Sequence, residues 1–337
     1  MNLKEKVMRK TLLALMIVLA LCSIAFANGT AEQTAAAPKA NPAWPTKPIV
    51  ITMPAGAGGG TDLLTRSMLA SLKNTLGQSV TVVNKTGGGY AIGYTAAAND
   101  KPDGYSVVAI MAELLTGPQI NKVSYTYQSF KSVCLVNSAY GTITVRADAP
   151  YNTLEEFIAY CKANPGKVSF GNSGVGGIWH FVAAAFAKEA GIEITHVPFD
   201  GGGPSVTALA GGHVDAVTCT DAEVAAQVAA GRAKILCTLS PKRLPSIPNV
   251  PTADELGLHN LTFTIIRGFG VPKDTPDYIV DILADAFKKA LDDPEVTKFM
   301  DSQHFVKDYR SGADLYKLEE EEEVKYAKLA VDLGLKK

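Results

Sequence analysis

Four glycine-rich turns, each directly after a short apolar or β-branched run, constrain this chain more than any other feature. They occupy residues 54–62, 84–90, 169–177 and 200–204. A β-branched run bounded by turn residues reads as a buried strand, and glycine lets the backbone turn sharply out of it. Residues 49–53 form the first such strand. Thr61 is placed to cap a helix whose Leu64, Met68, Leu72 and Leu76 share one face, and Gly77 ends it. A strand at 80–83, an Ala-rich stretch at 91–98 and a strand at 105–111 complete a βαβαβ order, which argues for a parallel, helix-covered sheet.

The grammar repeats in the middle of the chain. A strand at 141–145 precedes a helix opened by the capping box Thr153-Leu154-Glu155-Glu156. Strands at 168–171, 192–197, 214–218 and 233–239 then alternate with helices at 178–190 and 222–230 and a short one after the fourth glycine turn. Thr252-x-x-Glu255 marks another helix start, and 261–271 is extended. Thr275-Pro276 and Asp293-Pro294 each read as a cap followed by an N1 proline. The last helix opens at Ser311-x-x-Asp314, and its acidic run 319–323 reads as a solvated face. At 337 residues, the chain fits about two domains of roughly 150 residues each, here two α/β lobes with a helical finish.

The N-terminus is an address. Lys4, Lys6, Arg9 and Lys10 precede an apolar core at 12–21, and Ala25-Phe26-Ala27 supplies an A-x-A cleavage pattern. Residues 1–27 are therefore read as a secretory signal and 28–44 as a flexible lead-in, which marks the mature protein for export. Leu19-Ala20-Leu21-Cys22 also resembles a lipobox, with Leu21 a poor fit, so a lipid anchor at Cys22 stays open as an alternative. The remaining Cys134, Cys161, Cys219 and Cys237 sit in apolar patterns that suit buried free thiols, although export also permits disulfides.

Several function classes fall away. Lys and Arg number 32 against 33 Asp and Glu, so no basic excess exists to neutralise nucleic-acid phosphates. Gly56-x-Gly58 begins like a dinucleotide fingerprint, but Thr61 stands at the third glycine, and no GxxxxGK[ST] occurs. No GxSxG or HExxH appears, and the five histidines show no ligand spacing, so neither an enzyme nor a cofactor or metal is expected. What remains is anion binding. In open α/β sheets, ligands lie beyond the carboxyl ends of strands, where helix N-termini offer unpaired N–H groups and positive dipole. Four or five such hydrogen bonds, at about 1.5–3 kcal/mol each, reach micromolar binding after desolvation costs.

A set of separated motifs resembles one family. Trp44-Pro45-Thr46-Lys47-Pro48-Ile49, Gly58-Gly59-Gly60-Thr61-Asp62, Leu76-Gly77-Gln78, Asn84-Lys85 and Lys101-Pro102-Asp103-Gly104-Tyr105 come first. Asn164-Pro165-Gly166-Lys167, Gly171-x-Ser173-Gly174, Val197-Pro198-Phe199-Asp200-Gly201-Gly202-Gly203, Gly211-Gly212-His213-Val214-Asp215, Val250-Pro251-Thr252 and Val271-Pro272-x-x-Thr275-Pro276 follow in order. Over roughly residues 44–335 the chain resembles the tripartite tricarboxylate transporter substrate-binding (TctC, or Bug) receptors. The resemblance implies a receptor located in the periplasm, with a type II periplasmic-binding-protein, or Venus flytrap, α/β fold. Its first lobe would comprise residues 45–142 and 240–337, its second 143–239, with hinges near Thr142 and Leu239. It also implies a monomer that binds a di- or tricarboxylate or related acid and delivers it to a carrier of one large and one small membrane subunit.

Carried over by motif, residues 55–62 and 173–177 hold the ligand carboxylates. The candidate set is Ala55, Gly56, Ala57, Gly58, Gly59, Thr61, Asp62, Gly88, Tyr90, Asn172, Ser173, Gly174, Gly176, Gly177, Trp179, Asp200, Gly201, Thr220 and Asp221. Within it, Gly58 and Gly59 would present amides, and Ser173 and Asn172 would donate from the other lobe. Asp62 is either a dipole-stabilising residue or a ligand partner. Departures from the family pattern at Tyr90, Gly177, Ile178, Trp179 and Cys219 imply a less polar pocket wall, with Trp179 facing either the pocket or the core. Asp200-Gly201-Gly202-Gly203 resembles the tricarboxylate branch, as does Arg267-Gly268 more weakly. A ligand-sensing receptor for a signalling partner and a secreted hydrolase are the alternatives.

Overall fold

The computed structural model describes residues 43–336. The secretory-signal reading, the Cys22 alternative and nearly all of the lead-in lie outside these residues. In chain order the elements are β1 (Ile49–Met53), α1 (Gly60–Leu76), β2 (Val80–Asn84), α2 (Ala91–Ala98), β3 (Ser106–Met111), α3 (Glu113–Ile120) and β4 (Phe130–Arg146). Then come α4 (Leu154–Ala163), β5 (Ser169–Asn172), α5 (Ile178–Ala190), β6 (Thr195–Pro198), α6 (Gly202–Ala210), β7 (Ala216–Thr220), α7 (Asp221–Ala229) and β8 (Ala233–Thr238). β9 (Thr264–Pro272), α8 (Asp277–Asp292), α9 (Pro294–Ser302), β10 (Lys307–Ser311) and α10 (Gly312–Asp332) complete the described chain.

The strands run in the order β2-β1-β3-β9-β4-β7-β5-β6, with β10 and β8 also pairing to β4. β1 is parallel to β2 and β3, and β5 is parallel to β6 and β7. The expected parallel βαβαβ units are therefore present, one at each end. The centre is antiparallel, because β9 runs against β3 and β4 and β7 runs against β4. β4 changes partners along its length: residues 130–140 pair with β9, and 141–146 pair with β7 and β8. Of this 17-residue strand the sequence reading found only 141–145. β10 and α3 were not anticipated.

Apolar periodicity explains the layers. Leu64, Met68, Leu72 and Leu76 of α1 are buried as their spacing requires, and they join Ile49 and Ile51 of β1 and Leu283 and Phe287 of α8 in one cluster. Each such side chain contributes about 1.5–3 kcal/mol on burial. A second cluster gathers Phe157, Phe170, Phe181 and Phe186 around α5, which spans the residues its apolar run predicted. The four cysteines are buried and free. Trp44 is fixed by an Nε1 hydrogen bond to the Asp103 carbonyl at 3.0 Å and packs on Tyr105.

Several expectations are corrected. Gly59, not Thr61, caps α1, and no side chain caps it. Pro276 is the cap of α8 rather than its N1 residue, because the Thr275 hydroxyl turns back to the Pro272 carbonyl at 2.7 Å. Thr252 and Glu255 do form reciprocal capping bonds, but only a single 3-10 turn follows. The acidic run of α10 is not a uniformly solvated face: Glu319 is fully buried and Glu322 nearly so. Glu319 Oε2 accepts from Ser132 Oγ at 2.8 Å, and burial pushes its carboxyl up to about 8.

Candidate functional site

The first glycine turn is closed on itself by Asp62. Its Oδ2 accepts from the Gly58 amide and from Arg66 Nε, both at 3.0 Å, and Oδ1 accepts from Asn84 Nδ2 at 3.1 Å. Burial by itself would raise the Asp62 pKa, but the Arg66, Gly58 and Asn84 donors outweigh it and hold the carboxyl below the usual range. Asn84 also donates to the Ala55 carbonyl at 2.9 Å, so this aspartate braces the first turn against the second. The Gly60 amide, at the start of α1, donates to Glu223 Oε1 at 3.1 Å.

The third turn is organised the same way. Asn172 Oδ1 accepts from the Gly174 amide at 3.1 Å, and Ser173 Oγ accepts from the Trp179 amide at 3.2 Å. At the start of α5 the Ile178 amide donates to Glu113 Oε1 at 3.3 Å, and Ser173 Oγ lies 3.4 Å from the same oxygen. Gly176 donates to His180 Nδ1 at 3.4 Å. Burial, reinforced by the neighbouring His196 ring, pushes the His180 pKa down to about 4. Many amides expected to stay free for a ligand thus already have acceptors within the protein.

Glycine serves a second purpose here, the approach of one wall to another. The Gly56 amide donates to the Asp200 carbonyl at 2.6 Å. A Cβ on Gly203 would lie 2.6 Å from both Gly58 C and Gly59 N, and one on Gly89 would lie 2.5 Å from the Val175 carbonyl oxygen. Real Cβ atoms do not come that close to backbone, so side chains at these positions would hold the walls apart.

Two spaces remain between the walls. An open cleft of about 730 Å³ is lined by Pro54, residues 87–90, Asn121, residues 173–175, residues 198–200 and Pro204. An inner cavity of about 30 Å³ is lined by Ala55, residues 59–62, Tyr90, Met111, Glu113, Ile178, Trp179, Gly202, Glu223 and residues 265–267. Tyr90 lines both. Of the expected site residues, Ala55, Gly59, Thr61, Asp62, Tyr90 and Trp179 thus meet at the inner cavity, and Gly88, Tyr90, Ser173, Gly174 and Asp200 at the cleft. Gly56, Ala57, Gly58, Asn172, Gly176, Gly177 and Gly201 shape the turns without lining either space. Thr220 caps α7, and Asp221 faces Ser246 Oγ at 2.5 Å and His304 Nδ1 at 3.7 Å, away from both spaces.

Of the charged residues at the inner cavity the expected site set holds Asp62 but not Glu113, Glu223 or Arg267, although Arg267-Gly268 is a weak family feature. Glu223 is locked by the Thr220 amide at 2.9 Å and Thr220 Oγ1 at 3.1 Å. Arg267 is 2 % exposed; its Nη1 donates to Asn137 Oδ1 at 2.7 Å, and Nη2 lies 3.9 Å from Glu223 Oε2. Burial lowers the Arg267 pKa, with Glu223 and Glu113 acting against that shift. Burial also raises the Glu113 carboxyl. Thr220-x-x-Glu223 carries a capping-box signature that could have flagged Glu223, and Glu113 stands just past the end of a predicted strand. Among the described residues no group of three or more His, Cys, Asp or Glu is placed to hold a metal ion.

The family profile of the tripartite tricarboxylate transporter family receptor, TctC, matches residues 64–335. The chain belongs to this family. Among curated relatives, this TctC receptor is similar to the "UPF0065 protein in gbd 5'region" of Cupriavidus necator, 33% identical over 296 residues that cover 87% of this chain and 90% of that one. Among solved structures, it is similar to the periplasmic binding protein BugD, 31% identical with a TM-score of 0.83, covering 87% of this chain and 99% of that one. It is also similar to MatC from Rhodopseudomonas palustris with bound malate, 26% identical with a TM-score of 0.80, covering 85% and 99%. The TctC receptor described here therefore has the bilobed α/β architecture of type II periplasmic binding proteins, and it is a solute receptor.

Proposed function

We propose that this receptor acts in the periplasm, closes on a small organic acid between its two lobes and presents it to a membrane carrier built of one large and one small subunit. The observation that carries the reading is the pair of walls meeting backbone to backbone around enclosed space, with the buried Arg267 guanidinium at the inner end. A guanidinium desolvated at a cavity wall suits an anionic ligand. The malate bound by MatC supports the same chemistry.

Hinge closure follows from the chain path. We assign one lobe to residues 45–142 and 240–337 and the other to 143–239, joined near Thr142 and Leu239. In support, β4 exchanges partners at Tyr140 and Gly141, and the returning chain lies beside it, with the Leu239 amide donating to the Gly141 carbonyl at 2.8 Å. Two adjacent crossings permit rotation with little disturbance of either sheet. Calorimetry of the mature chain against a broad panel of mono-, di- and tricarboxylates tests the reading. Micromolar binding of at least one acid is expected, and no heat or thermal shift with any of them would refute it.

A further inference from the structure

The third glycine turn is held from behind by two histidine rings, neither of which lines the cleft or the inner cavity. His180 lies in the first turn of α5 and His196 in β6, and their rings meet edge to face with centroids 4.6 Å apart. Each ring anchors the turn through Nδ1. That of His180 accepts from the Gly176 amide at 3.4 Å, and that of His196 faces Asn172 Nδ2 at 3.3 Å. The Asn172 side chain is fixed in this orientation, because its Oδ1 accepts from the Gly174 amide at 3.1 Å. Both Nδ1 atoms thus face N–H groups and must be bare, so each ring carries its proton on Nε2.

That geometry admits only neutral rings. A proton on either Nδ1 would set donor against donor, and an imidazolium at residue 180 would also meet the positive end of the α5 dipole. Among the described residues, no charged side chain of another element acts on either ring: burial and the His196 ring lower the His180 pKa, and burial alone lowers that of His196. The polar neighbours that β5 and the turn bring, Asn172 and Gly176, are uncharged. The turn so anchored is where the walls touch. Its Val175 carbonyl accepts from Asn121 Nδ2 at 3.4 Å and faces Gly89, and residues 173–175 line the cleft.

We propose that His180 and His196 are positioning residues that make closure on the solute sensitive to protons. In neutral form they fix Gly176 directly and Gly174 through Asn172, and with them the face that the turn presents to Gly89 and Asn121. Protonated, His180 releases the Gly176 amide and His196 turns Asn172 away from Gly174, so the walls meet less closely. The closed turn resists protonation, whereas a turn freed from the opposite wall lets the rings titrate nearer the ordinary histidine value of about 6.5. Affinity is then full above about pH 6.5 and falls as pH drops below it, by about tenfold at pH 5. The proposal rests on the receptor reading above and adds a regulation to it: the solute is held in neutral surroundings and released in acid ones.

Long-range proton–nitrogen NMR of the isotope-labelled protein tests the anchor without any ligand. At pH 7.5 both rings are expected as Nε2–H tautomers, and acidification should move the Gly174 and Gly176 amide signals with the same midpoint as the ring signals. A proton on Nδ1 of either ring at pH 7.5, or ring protonation that leaves both amides unmoved, would overturn the proposal. Binding is read by calorimetry with malate and adipate at pH 7.5 and pH 5, in wild type and in the double variant His180→Asn, His196→Asn. Asparagine puts an oxygen acceptor near each Nδ1 position and takes up no proton, and comparing the two proteins at each pH cancels the titration of the acids themselves. Wild type should lose about tenfold more affinity than the variant over this interval; equal losses would refute the coupling. Thermal unfolding at both pH values checks that the variant is folded, and the two single variants replace it if it is not. The ring signals need no solute, so the anchor is decided even if the acid panel fails and the receptor reading with it.

Discussion

Glu319 sits in a run of five glutamates, yet it is fully buried, and this sets a pH dependence that composition conceals. Its carboxyl titrates at about 8 in the folded chain, against 4.5 as the unperturbed value, so the native state holds a proton that the unfolded state releases. Stability is then full below about pH 4.5 and falls as pH rises toward 8, by an upper limit of about 5 kcal/mol. Glu319→Gln keeps a partner for Ser132 and removes the charge. Urea unfolding should find it a few kcal/mol more stable than wild type at pH 8.5 and nearly equal at pH 4.5. His180 acts in the opposite direction. With its pKa pushed from 6.5 to about 4, it stays neutral when folded, and stability is lost as pH falls through that interval. His180→Asn retains an acceptor for the Gly176 amide and should flatten the acid limb of the stability profile between pH 6.5 and 4.

At the scale of elements, the N-terminus of α6 carries the clearest prediction. Gly203→Ala places a methyl group 2.6 Å from Gly58 and Gly59 backbone atoms, while alanine suits the first turn of a helix. The variant should melt close to wild type yet bind ligand at least tenfold more weakly, with small-angle scattering showing a wider cleft in saturating ligand. The same position shows what the sequence could convey. Strand–glycine–helix order located the turns, and the largely apolar run between Gly177 and Gly191 defined α5 to the residue. Whether a glycine faces a solute or another glycine is decided by the opposite wall, about which local sequence is silent. Glu319 was misread for the same reason, since its partner Ser132 lies 187 residues away. β4 was cut short because the stretch Asn137-Ser138-Ala139-Tyr140 lacks strand patterning. α3 was missed because it contains Gly117 and Pro118, ordinarily breakers of helices.

For the whole molecule, β4 belongs to both sheets, so neither half has a complete set of strand partners alone. Calorimetry of the protein should therefore record one cooperative unfolding transition. A saturating ligand should displace it upward as a unit, with a gain of about 2.7 kcal/mol at a hundredfold excess over Kd; two resolved transitions would contradict this. The contact of bare backbone with bare backbone has a longer-term consequence. Surfaces that meet without side chains hold no record of which solute they enclose, whereas Glu113, Trp179 and Arg267 stand apart from them at the cavity wall. Substitution at those few positions can therefore change which solute is held while the meeting of the walls is left as it is.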